Sequence, residues 1–103
     1  VRFEVALSGG GRVTLAAYGM ADAEHRVEKE IRALCPGARI DVLGVERVDP
    51  ERRIVEEFAV RYRLRTTLAT DAETQDEAVR AARREVNQRL AGTPYARIVW
   101  DRA

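Results

Sequence analysis

Arg61, Arg63 and Arg65 recur at every second residue of the stretch FAVRYRLRTT. Successive side chains on an extended strand alternate faces, so this spacing sets three guanidiniums on one side, about 7 Å apart. A row of planar, always-charged donors is suited to gripping a phosphate backbone. The same face is expected to carry Glu4, Asp41 and Asp101, however, and opposite charges pair across strands. A solvated sheet laced with ion pairs is the simpler account. A sheet that reads RNA also displays aromatic rings for base stacking, whereas here Arg2, Glu4 and Ala6 hold the exposed parity and Phe3, Phe58 and Tyr62 the buried one. Arg80, Arg83 and Arg84 form a second basic group, interleaved with Asp76, Glu77 and Glu85 as on a solvated helix face.

Nucleophilic and metal chemistry find less support. His25 is the single histidine and Cys35 the single cysteine. Ten residues of helix between them span about 15 Å, too far for a catalytic pair. With no cluster at ligand spacing, no metal or cofactor site is expected. Cys35, at a helix end beside Pro36, reads as a packed small side chain. The run Ser8-Gly9-Gly10-Gly11 lacks the helix that follows a phosphate loop, since Arg12, Val13 and Thr14 resume strand character. No catalytic residue is assigned.

Charged residues make up 34% of the 103 positions yet cancel to a net +1, leaving no global field to attract nucleic acid or anionic lipid. A chain of this length is expected to form a single domain over residues 1–103 with a real hydrophobic core. One cysteine permits no internal disulfide. No apolar run is long enough to span a membrane and no basic segment leads into one, so a cytoplasmic setting is the default expectation.

The elements that must position these residues follow from periodicity. Val1, Phe3, Val5 and Leu7 alternate with polar neighbours, and Val13, Leu15 and Ala17 do so again. The glycines between predict a hairpin, adding an extra N-terminal strand, or one strand with a bulge. Ala23, Val27, Ile31 and Leu34 mark an amphipathic helix that Pro36 and Gly37 end. Residues 38–48 resume strand character with a bulge near Gly44, and Asp49-Pro50 signals a turn. The returning strand aligns Ile54, Phe58, Val60, Tyr62, Leu64 and Leu68. Extended throughout, residues 54–68 would reach about 50 Å. Thr74 and Glu77 stand at capping-box spacing, Ala78, Ala82, Val86 and Leu90 form a second helix stripe, and YARIVW reads as a closing strand.

Both halves thus run strand, helix, strand, and Pro-x-Ala-Arg-Ile occurs at 36–40 and again at 94–98. An internal repeat of this kind predicts an α+β fold, a ferredoxin-like β-α-β-β-α-β two-layer sandwich with both helices on one face of an antiparallel sheet. The favoured function is a small non-enzymatic interaction or assembly module, a homodimer joined through sheet edges within residues 54–68, with a further protein partner as a variant of the same reading. The alternative is a nucleic-acid-binding domain using Arg61, Arg63, Arg65, Arg80, Arg83 and Arg84. Third stands small-molecule binding or catalysis on a scaffold that hosts many functions.

Overall fold

A computed structural model of the chain describes residues 1–49, 51 and 54–102. Six elements follow one another: β1 (Arg2–Ala17), α1 (Met20–Leu34), β2 (Arg39–Arg47), β3 (Glu56–Asp71), α2 (Gln75–Leu90) and β4 (Val99–Trp100). The strands form one antiparallel sheet in the order β2-β3-β1-β4. Residues at helical spacing on α1 (Ala23, Val27, Ile31) and α2 (Ala78, Ala82, Val86, Leu90) join Val5, Leu7, Val13, Ile40, Phe58, Val60, Tyr62 and Leu64 in a single buried cluster. The architecture is therefore α+β in two layers, with the opposite sheet face open. Phe3, whose parity assigned it to the buried face, is only partly buried and packs at the margin of this cluster, as does Ile98.

The N-terminal hairpin does not form. β1 runs unbroken through Ser8–Gly11, every residue opposite one of β3, from Arg2 facing Asp71 to Ala17 facing Glu56. The glycines are present for closeness rather than reversal. A β-carbon on Gly9 would stand 2.9 Å from both the Trp100 ring and the Val99 carbonyl oxygen, and one on Gly11 would stand 2.5 Å from the Tyr62 hydroxyl. Glycine inside a strand commonly marks such an approach. Because β1 matches β3 in length, the ribbon accounts for the 54 Å long axis of the molecule. The radius of gyration is 15.5 Å, above the roughly 13 Å of a compact 100-residue domain.

The second half of the sheet also departs from expectation. β3 begins at Glu56, leaving Ile54 outside the strand and 86% exposed. The bulge near Gly44 is present, as a register shift between Val42 and Gly44 opposite β3. Pro50 of the expected turn lies outside the described residues; Asp49 Oδ1 accepts from the Glu51 N–H at 2.9 Å. The closing strand shrinks to Val99–Trp100. Tyr95 sits in the turn before it, because its ring is buried edge-on against Tyr62 with centroids 5.8 Å apart and its hydroxyl donates to Glu30 of α1.

Helix ends obey local chemistry. Thr74 caps α2 by accepting from the Glu77 N–H at 3.2 Å, and the Glu77 carboxylate accepts from the Glu73 N–H at 3.2 Å. Both helices are followed by a glycine in the left-handed region, Gly37 at φ 86° and Gly92 at φ 75°, where a β-carbon is disfavoured. The two Ala-Arg-Ile segments each lead into a strand, but their settings differ: Ala38 is buried and Ala96 exposed.

Candidate interaction surfaces

β3 directs Arg61, Arg63 and Arg65 onto the open sheet face. Register places Arg12 and Gly44 opposite Arg61, Gly10 and Asp41 opposite Arg63, and Ser8 and Arg39 opposite Arg65. Of the three, Arg63 alone forms an ion pair with a carboxylate among the described residues: its guanidinium donates to Asp101, and also to the Ser8 hydroxyl at 2.9 Å. Arg61 lies across the bulge instead, its Nη2 2.8 Å from where a Gly44 β-carbon would be. Strand parity puts Arg2, Arg12 and Arg39 on this face as well, balanced by Glu4, Asp41, Glu46, Glu57, Asp71 and Asp101. Glu4, Glu46, Glu57 and Asp71 stand toward the two ends, while Asp41 and Asp101 sit among the arginines in the middle, beside Arg63. No aromatic ring has this parity among the described strand residues.

The two arginine groups do not make one surface. Arg80, Arg83 and Arg84 are on α2, in the other layer. Arg83 alone reaches the sheet rim, donating from Nη2 to the Asp101 carbonyl oxygen at 2.9 Å. Its Nε is buried without a partner. Asp101 is thus held from both layers, its carboxylate by Arg63 and its carbonyl by Arg83. Hydrogen bonds from Arg63 and Ser8 hold its carboxyl below the usual aspartate range. The sequence pointed to Asp101 as a charge partner, but not to its role in fastening β4. Trp100 adds to that attachment by donating from Nε1 to the Asn87 side-chain oxygen at 3.1 Å.

His25 is exposed on α1, and Cys35 is buried at its C-terminal cap. Burial pushes the Cys35 thiol above its ordinary value, with the Arg89 charge acting weakly in the other direction. A thiol so placed is a poor nucleophile. Among the described residues, no three His, Cys, Asp or Glu side chains are grouped to hold a metal ion, and no helix is long and apolar enough to cross a membrane.

The free strand edges are not where the sequence suggested. β3 is interior: β1 covers it from Glu56 to Asp71 and β2 from Phe58 to Arg65, which leaves little of residues 54–68 to offer a partner. β2 ends the sheet on one side, and on the other side β1 is also largely open. β4 pairs with it only at Gly9 and Gly10, extended by the Asp101 N–H donating to the Ser8 carbonyl at 2.8 Å. From Gly11 to Ala17, no strand among the described residues lies along its outer side. Backbone groups alternate sides in an antiparallel ladder, so Ser8 facing β4 implies that Arg12, Thr14 and Ala16 also aim N–H and C=O outward. A second opening lies where β2 begins: a groove of about 510 Å³ lined by Arg39, Arg65, Thr66 and Thr67, with Pro36, Gly37 and residues 6–8.

Comparison with protein families, curated proteins and solved structures finds no match to this chain.

Proposed function

We propose that this domain is a non-enzymatic interaction module that self-associates through the outer edge of β1, on a stretched ferredoxin-like scaffold. The observation that carries the reading is the run Gly11–Ala17, whose outer side no strand among the described residues covers. An extended strand with free donors and acceptors is a template for another strand. The run contains no proline and no lysine to blunt it. Two copies meeting antiparallel along this edge would satisfy the outward groups of Arg12, Thr14 and Ala16 reciprocally, as a two-fold axis requires.

Light scattering at micromolar concentration is expected to give a dimer mass. Thr14→Pro removes one outward N–H while leaving the β1–β3 ladder intact, and it is expected to return a folded monomer. A monomeric wild type, or an unchanged dimer in the variant, would overturn the edge assignment.

Nucleic-acid binding is the second reading, favoured by one feature: Arg12 opposite Arg61 and Arg39 opposite Arg65 crowd positive charge in the middle of the open face. Against it stand the balancing carboxylates and the absence of stacking rings on the described strand positions of that face. Binding of single-stranded RNA that falls steeply with salt would favour it. Small-molecule binding or catalysis, the third reading, would be favoured by a ligand that co-purifies with the protein.

A further inference from the structure

We infer that the groove at the start of β2 is an oxyanion-binding site, in which Arg39 and Arg65 clamp a phosphate or carboxylate group. Arg39 and Arg65 are directly opposite across β2 and β3, so their β-carbons stand about 5 Å apart on one face. Like charges so placed are destabilising unless something between them is negative. Within the protein that role is only partly filled. Arg65 forms no ion pair with a carboxylate among the described residues, its charge reaching Asp101 only at longer range, and Arg39 meets Asp41 of its own strand at 4.0 Å with the arginine side chain 76% exposed.

The groove around the pair supplies donors and no carboxylate. Arg39, Arg65, Thr66 and Thr67 line it together with Gly37. Thr67 has the backbone orientation of Arg65, toward the β2 side, but β2 ends its pairing at Arg65. Its N–H therefore opens into the space beside the groove rather than into a ladder. Ser8 also lines the groove, but its hydroxyl is occupied by Arg63 and Asp101 and is not assigned to the ligand. Two guanidiniums with a backbone N–H and a threonine hydroxyl match the lone pairs of a tetrahedral or planar oxyanion. The volume of about 510 Å³ admits a small organic anion as well as the bare ion.

Calorimetric titration with inorganic phosphate, and in a parallel arm with acetate, at constant ionic strength tests the site. Binding of either anion is expected to weaken at least tenfold in Arg39→Gln and in Arg65→Gln, and less than twofold in Arg61→Gln, which shares the face but not the groove. The arm that binds more tightly identifies the phosphoryl or the carboxylate source. Arg65→Gln is also expected to raise the melting temperature in low salt without added anion, by relieving the like-charge pair. Binding that survives both groove variants, or falls equally in Arg61→Gln, would overturn the site and indicate diffuse attraction along the arginine band. A melting temperature that Arg65→Gln lowers would overturn the like-charge argument.

Discussion

The Tyr62 hydroxyl occupies the place where a β-carbon of Gly11 would be, 2.5 Å from that position, with the ring carbon Cζ 2.7 Å away. The ring is buried and wedged against Tyr95, so it has little room to yield. Gly11→Ala is expected to destabilise the domain by about 1–3 kcal/mol, the range for overpacking a filled core. Combining it with Tyr62→Leu should recover part of that loss, since the obstructing atoms are gone. A denaturation cycle showing simple additivity would mean that the two residues do not share this space.

Phe58 is fully buried where the β1–β3 ribbon meets the helices, opposite Leu15. Phe58→Ala removes a ring from the shared cluster and is expected to cost about 3–5 kcal/mol. A loss below about 1 kcal/mol in urea would show that the site collapses around the smaller side chain or that the strand faces the other way.

β4 is two residues long, and its attachment rests on Asp101 as much as on the ladder. Asp101→Asn weakens the Arg63 contact while preserving shape, and proteolysis after Arg97 or Arg102 is expected to quicken. Acid should act in the same direction. The Asp101 carboxyl is held below its model-peptide value of 3.8, so its contribution is fully present above that value. It is lost as pH falls through the lower folded value. Cleavage in the variant that is no faster than in the wild type would count against a fastening role for this side chain.

Much of this fold was legible in the sequence, because burial leaves a periodic mark. The α1 and α2 stripes and the parity of Phe58, Val60, Tyr62 and Leu64 could each be read from spacing alone. Local signals failed where a distant residue sets the meaning. Ser8–Gly11 looks like a turn until Tyr62 and Trp100 are placed over it. Tyr95 looks like strand until its ring finds Tyr62 and its hydroxyl finds Glu30. The arginines were visible as a row, but whether each has a partner depended on register: Arg63 meets Asp101, while Arg65 meets Arg39. The free edge was misplaced for the same reason, since β3 could be seen to be long but not that β1 would match it.

The alkaline limit of the fold should trace to Tyr95. Burial, and then the hydrogen bond and charge of Glu30, push its phenol well above the ordinary value of 10.0, and burial raises Tyr62 as well. In the unfolded chain both tyrosines ionise near 10, so the folded and unfolded states bind equal numbers of protons below that pH. Above it the unfolded state loses protons first, and stability declines as pH rises toward the folded values. Tyr95→Phe deletes one of these titrations along with the Glu30 hydrogen bond. It is expected to be less stable than wild type at pH 7, by about 1 kcal/mol, and to lose stability less steeply between pH 10 and 11.5. Urea midpoints across that interval are the measurement. Parallel slopes for the two proteins would mean that the Tyr95 phenol is not held protonated by the fold, and that its ring alone carries its contribution.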